Sequence, residues 1–368
     1  MTVILNCWQK AVLIVLLAIA LILSPILCLP SATAQPTNTQ PAIDDLSLFG
    51  QALPKNFFPK PETINPALID LGRDLYYEKR LSKHEDISCN SCHPLTQYGV
   101  DHQPRSLGDR SQLGGRNAPT VYNAAPHIAQ FWDGRAADVE EQAKGPILNP
   151  VEMAMPSPET VVELLKSNPA YVAAFQQAFP NEADPITYDN LGKAIGAFER
   201  GLVTPAPFDA YRAGDDAALT EQQKRGLQLF TSIGCIGCHN GTYLGGQSYQ
   251  KLGLVEPWPN QIDRGRYQLT QKDTDRMVFK VPSLRNVAKT YPYFHDASAT
   301  TLYEAIRLMA RHQLGRELTA AQTEDLVAFL ESLTGDLPLA YIQEPTSPDK
   351  VAPPKAQDWP KRSLTTLE

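Results

Sequence analysis

GRDLYYEKRLSKHEDISCNSCH, residues 72–93, and GLQLFTSIGCIGCH, residues 226–239, begin alike and end alike. Each opens Gly-x-x-Leu-aromatic, at Gly72 to Tyr76 and at Gly226 to Phe230, and each closes on Cys-x-x-Cys-His. The endings place Cys89, Cys92 and His93 in the first copy and Cys235, Cys238 and His239 in the second. Disulfides are the usual fate of four cysteines in an oxidising compartment, but a Cys-x-x-Cys loop is tight for a structural bridge and has no use for the following His. Paired zinc knuckles normally lie some 15–20 residues apart, and these motifs are separated by well over a hundred. Covalent haem attachment uses all three fixed positions. Two thiols add to the two vinyl groups of a porphyrin, and the adjacent His takes the iron from the proximal side. The sequence therefore predicts two c-type haems.

Working outward, ALIDLGRDLYYEKRL places apolar residues at 68, 69, 71, 75 and 76, one face of a helix before the first motif. Thr220 with Gln223 reads as a capping box opening the helix before the second. A helix leading into a haem-binding loop, found twice, implies an internal duplication. Between the motifs SPETVVELLKSNP, AYVAAFQQAFP and TYDNLGKAIGAFERGLV are helical stretches cut by Pro169, Pro180 and Pro185. After the second motif 241–299 reads mostly as loop. Thr301 and Glu304 then form a capping box for TLYEAIRLMARHQLG, and Thr319 opens a last helix that stops at Gly335. No long strand alternation occurs. The predicted fold is mainly α, two cytochrome c-like haem domains with long loops.

The chain starts MTVILNCWQK, with Lys10 the only charge, runs on as AVLIVLLAIALILSPILCL, and reaches the small-x-small triplet Ala32-Thr33-Ala34. That is the form of an export signal, cut most simply before Gln35. The apolar run is long enough to remain as an anchor, but Pro25 within it and the small-residue site after it favour cleavage. Leu27 before Cys28 argues against a lipid anchor. The signal takes Cys7 and Cys28 with it and leaves 334 residues with 32 basic and 40 acidic side chains, a net charge of −8. That balance argues against nucleic acid as partner and suits docking of a small basic protein. The expected organisation is a signal at 1–34, a linker at 35–62, haem domains at 63–213 and 214–336, and a Pro-rich tail at 337–368, extended or disordered. The expected location is the periplasm.

A haem's sixth position decides its work: filled by a side chain it shuttles electrons, open it binds a small molecule. For the second haem the candidates are Met309, in the helix after Thr301, and His312 one turn later. Met on an apolar helix face more often packs a core than binds iron, so residue type alone leaves the two close.

Three further segments, GGRNAPTVYNAA (114–125), QFWDGRAADVEEQAKGPILNPVEM (130–153) and VPSLRNVAKTYPYFHDASATTLYEAIRLM (281–309), resemble the bacterial dihaem cytochrome c peroxidase family, and the resemblance runs from about residue 65 to 335. It implies a peroxidatic first haem and an electron-transferring second haem with Met309 as axial ligand. It implies Gln142 and Glu152 as the distal pair, Glu152 moving the proton and Gln142 holding hydrogen peroxide by hydrogen bonds, and Trp132 between the haems. It also implies calcium at the domain interface, held by the Asn117 side chain and the carbonyls of Thr290 and Pro292, a set of hard oxygens that suits this ion. Partners implied are hydrogen peroxide and a small electron donor, a cytochrome c or a cupredoxin, and relatives often form a homodimer. Each residue also has a bland reading: Trp132 in a core, Asn117 in a turn, Glu152 as a helix-start charge.

One position departs from the family. Members that need reductive activation carry a blocking His in a Ser-Leu-Gly-His context, and here the stretch is Ser106-Leu107-Gly108-Asp109. An open first haem in the resting oxidised protein is therefore expected. His102 and His127 are the nearby substitutes, each better read as a surface or core residue. The neighbouring MauG-like enzymes, which oxidise a protein side chain, carry Tyr where Met309 stands. A plain dihaem electron carrier would need neither Gln142 nor Glu152.

Overall fold

The computed structural model describes residues 46–60 and 63–346. The expected signal, the first part of the expected linker and the end of the tail lie outside the described residues. The elements run α1 Pro66–Tyr77, α2 Cys89–Cys92, α3 Val139–Leu148, α4 Pro158–Lys166, α5 Pro169–Ala178, α6 Tyr188–Glu199, α7 Pro207–Arg212, α8 Glu221–Ser232, β1 Tyr249–Lys251, α9 Tyr267–Thr270, β2 Val278–Lys280, α10 Leu302–Leu314 and α11 Ala320–Glu331, with 3-10 turns between them. The fold is mainly α. Among the described residues the one sheet is the antiparallel pair β1–β2, with Tyr249 opposite Lys280.

Local chemistry explains most helix starts. Asn65 caps α1 by accepting from the Ala67 amide at 3.1 Å, and Pro66 stands at the first turn, where its missing N–H costs nothing. Pro158, Pro169 and Pro207 likewise stand in first turns, so Pro169 starts α5 as well as ending what precedes it. The capping boxes at Thr220–Gln223 and Thr319–Gln322 are both complete. That at Thr301 is half formed: the Glu304 amide donates to Thr301 Oγ1 at 3.2 Å, but the Glu304 carboxylate accepts from the Thr300 amide instead. Leu71, Leu75, Ile147, Leu191, Ile195 and Phe198 join α1, α3 and α6 in one core. The start of the expected tail is a strap over that core: Ile342 is buried, and Tyr341 Oη donates to the Phe198 carbonyl at 2.7 Å.

The duplication extends to single atoms. A Cβ on Gly72 would lie 1.8 Å from the Ala194 carbonyl, and one on Gly226 would lie 1.9 Å from that of Asp325, so α1 presses on α6 as α8 presses on α11. Tyr76 meets Phe198 edge-on at 5.5 Å, and at the matching place Phe230 packs on Phe329, tilted, at 5.2 Å. The amide of Asn123 donates to Leu202 and that of Asn286 to Leu333, at 2.9 and 3.0 Å. Both asparagines then share Thr204 Oγ1, at 2.7 and 2.8 Å, across the two halves. The isolated bridges Gln130–Ala136 and Tyr293–Ala299 repeat the turn that follows, with Phe131 and Phe294 both at positive φ. In each half that turn leads into a helix, α3 or α10.

Candidate active site

Each Cys-x-x-Cys-His motif presents two free thiols and one ring. His93 Nδ1 donates to the Gly99 carbonyl at 3.1 Å and His239 Nδ1 to the Leu244 carbonyl at 3.3 Å. That bond places the proton on Nδ1 and leaves the Nε2 lone pair for a metal. Burial pushes His239 down to about 4 and lowers His93, so both rings are neutral, as ligation requires. Burial pushes the Cys89 and Cys235 thiols up to about 12. Without an electropositive neighbour neither is poised as a thiolate. The residues fit c-type haems: each motif sets its thiols beside an imidazole already held in the tautomer that leaves Nε2 free.

Around the second motif Cys235, Cys238, His239 and Met309 line one cavity, walled by Phe230 and Leu330. His312 does not line it. Its Nδ1 bonds the Glu256 carbonyl at 3.1 Å and its ring packs on Trp258 at 5.1 Å. The structure thus separates the two sixth-ligand candidates that residue type left close.

The first half carries the equivalent helix with different residues. Met309 is the eighth residue of α10, and the eighth residue of α3 is Pro146. Proline offers no donor atom to iron. Ala305 and Met309 border the second cavity, and the matching α3 positions in the first half are Gln142 and Pro146. Glu152 lies beyond the end of α3, close enough to Cys92 for its charge to act on that thiol. Burial raises the Glu152 carboxyl above the ordinary range, opposed in part by Arg135 and by a hydrogen bond from Asn149. Phe131, Arg135, Asn149 and Glu152 line an adjoining pocket in which Gln142 has no part. Arg135 and Asn149 are functional candidates that sequence reasoning missed. Glu152 names its own position by resemblance, whereas these two are identified only by lying beside it.

Trp132 stands between the halves. Its Nε1 donates to the Asn117 carbonyl at 2.9 Å, its ring meets His295 edge-on at 6.3 Å, and it borders the second cavity. Arg116 fixes this junction by pairing with Asp133 at 2.7 Å and Asp263 at 2.6 Å. Asn117 is buried, and its Nδ2 is spent on the Gln103 carbonyl at 2.9 Å, which turns its Oδ1 the other way. Asn117, Thr290 and Pro292 border the same cavity. Among the described residues no group of three or more His, Cys, Asp or Glu could hold a metal. A cation here would rest on neutral oxygens and water, which calcium accepts.

Asp109 is buried. Its amide donates to the carbonyls of Val151 and Glu152 at 3.0 and 2.7 Å, and its carboxylate faces His84 Nε2 at 3.3 Å. His102 is held over the second half, with Nδ1 3.0 Å from the Tyr291 carbonyl and its ring stacked on Tyr291 at 4.2 Å. His127 is half-buried on the wall of the second cavity.

Comparison with known proteins agrees with this geometry. Residues 66–217 match the family model described as di-haem cytochrome c peroxidase, and residues 223–334 match that of cytochrome c. The chain is 47% identical to cytochrome c551 peroxidase of Pseudomonas aeruginosa, over 73% of this chain and 79% of that protein. It is 34% identical to the methylamine utilization protein MauG of Methylorubrum extorquens, over 76% of this chain and 81% of that one. A crystal structure of a MauG-like protein associated with microbial copper homeostasis superposes with a TM-score of 0.71 at 28% identity, covering 81% of this chain and 98% of that one.

Proposed function

Because this chain belongs to the di-haem cytochrome c peroxidase family and is a peroxidase with two c-type haems, we propose that its first haem site accepts hydrogen peroxide in the resting oxidised protein, with no prior reduction. The observation that carries this reading is Pro146 in the helix position that Met309 holds in the other half. Asp109, at the place of the family's blocking His, is anchored toward His84 and supports it. When bound, the haems supply an open iron for peroxide at the first site and an electron store at the second.

Cys89 and Cys92 attach the first haem and Cys235 and Cys238 the second. His93 and His239 would ligate iron through Nε2, and Met309 would complete the second site. The reaction is H2O2 + 2 H+ + 2 e− → 2 H2O. Gln142 holds the peroxide by its carboxamide. Glu152 takes the proton from the near oxygen at its carboxylate and returns it to the far one, so that the leaving group departs as water. The Arg135 charge opposes the upward push that burial gives the Glu152 carboxyl. Trp132 bridges the two halves on the route of the electrons. Calcium at Asn117, Thr290 and Pro292 would brace the same junction. Electrons arrive one at a time from a small donor protein, a cytochrome c or a cupredoxin, in the periplasm. No helix among the described residues is long and apolar enough to cross a membrane.

A second reading, oxidation of a protein side chain, draws on the 34% identity to MauG. Met309 speaks against it. Steady-state turnover of peroxide with a reduced small cytochrome c separates the readings. Sustained turnover beginning without a reductive lag is the expected result. Turnover only after prior reduction would overturn the open-site reading, and absence of turnover would overturn the donor-linked peroxidase reading as a whole.

A further inference from the structure

Lys280 closes β2 and is 9% exposed. Among the described ion pairs none includes it, and its ammonium makes a hydrogen-bond contact with His127 Nδ1, 3.5 Å from Nζ. Burial pushes the ammonium down to about 8, which still leaves it charged at neutral pH. A buried cation with no counter-ion is costly, and such a group is built for an anion that arrives with a ligand. His127 shows the same need: its Nε2 is buried without a hydrogen-bond partner. With the Lys280 ammonium donating to Nδ1, the ring proton sits on Nε2 and is available to an acceptor. Both residues border the cavity that holds Cys235, Cys238 and His239.

The duplication shows where this cation comes from. The Lys280 amide donates to the Trp132 carbonyl at 2.8 Å, and the Asn117 amide donates to the His295 carbonyl at 2.9 Å. Lys280 and Asn117 are therefore matching residues on opposite sides of the junction. One half carries a neutral carboxamide at this position and the other carries an ammonium. A c-type haem brings two propionates on the edge away from its thioether bonds, and these are the anions the second cavity must accommodate.

We propose that the Lys280 ammonium and His127 Nε2–H together hold a propionate of the second haem, and that this resident cation helps set that haem's potential above the first. The inference rests on the reading of Cys235, Cys238 and His239 as a haem site. A positive charge beside the porphyrin disfavours the extra positive charge of ferric iron, so removing it makes reduction harder.

The test is a spectroelectrochemical titration of the two-haem protein, following each haem separately. Haem content of the wild type is checked first. One haem per chain would refute the two-haem reading before any potential is measured. In Lys280→Met the equilibrium constant for reducing the second haem should fall about tenfold, which is about 59 mV for a one-electron couple. The first haem should move by less than about threefold, and Lys280→Arg should stay within about threefold of wild type at both. An unchanged second-haem potential in Lys280→Met, with both haems attached and Met309 still ligated, overturns the proposal, as does an equal shift of both haems. If Lys280→Met does not assemble, His127→Gln is measured in its place. A fall of about threefold at the second haem alone supports the proposal, and no change overturns it.

Discussion

The amide of Asp109 donates to the carbonyl of Glu152 across 2.7 Å, so the loop that would carry a blocking ligand and the turn that carries the Glu152 carboxylate, proposed above to move the proton, are one unit. A Cβ on Gly108 would lie 1.9 Å from the Val151 carbonyl, and only glycine permits this approach. The Asp109 side chain leaves the unit toward His84. The ferric protein as isolated should therefore show one high-spin and one low-spin haem by EPR, and peroxide alone should abolish the high-spin signal. Two low-spin haems inert to peroxide would refute the open site. His102→Ala should change neither signal, because that ring is already engaged by Tyr291.

Glu152→Gln keeps the shape of the side chain and removes its ability to take a proton. The kcat/KM for peroxide should fall by about 10² to 10⁴ with haem content unchanged. The pH profile adds a sign. Burial raises the Glu152 carboxyl, and the ionised form is the one that accepts the proton. Activity of the wild type should fall with decreasing pH through a limb lying above the ordinary carboxylate range, and Glu152→Gln should lack that limb. A limb that survives in the variant would assign it to another group.

Met309 and Pro146 make opposite statements with the same position of two helices. In Met309→Ala the second haem should lose its sixth ligand and turn high-spin. Its equilibrium constant for reduction should fall at least tenfold, about 59 mV or more, since a thioether ligand raises the potential. A low-spin second haem in that variant, seen by EPR, would return His312 or another residue to consideration.

The parts of this fold that were legible in the sequence are those decided within a few residues. The haem motifs, the helix starts at Thr220, Thr301 and Thr319 and the capping box at Thr220–Gln223 all belong here, because the groups that satisfy each helix end lie within one turn of it. Helix α3 escaped periodicity: it carries Pro146, and its burial at Ala143 and Ile147 comes from packing on α1 and α6. Resemblance named Glu152 but not Arg135 or Asn149, whose importance comes from where a turn places them. The Lys280–His127 pair joins residues far apart in sequence, and nothing local to either marks it.

Glu199 gives the last test. It is buried on α6, where the second half has Leu330 on the wall of its haem cavity, and its charge reaches Cys89. Burial first, and the neighbouring Glu140 second, raise its carboxyl from 4.5 to about 8, with Arg200 opposing. The folded state thus holds this proton more tightly than the unfolded chain does. The stability associated with the protonated form is complete below the unfolded value of 4.5 and is lost as pH rises through about 8. Thermal unfolding of the two-haem protein should show Tm falling across that window in the wild type. Glu199→Gln should hold its Tm nearly constant over the same range and match the wild type at the acid end. The two proteins tracking each other in parallel up to about pH 8 would mean that Glu199 ionises in the folded state as freely as in water, and that an anion beside the first haem is tolerated without cost.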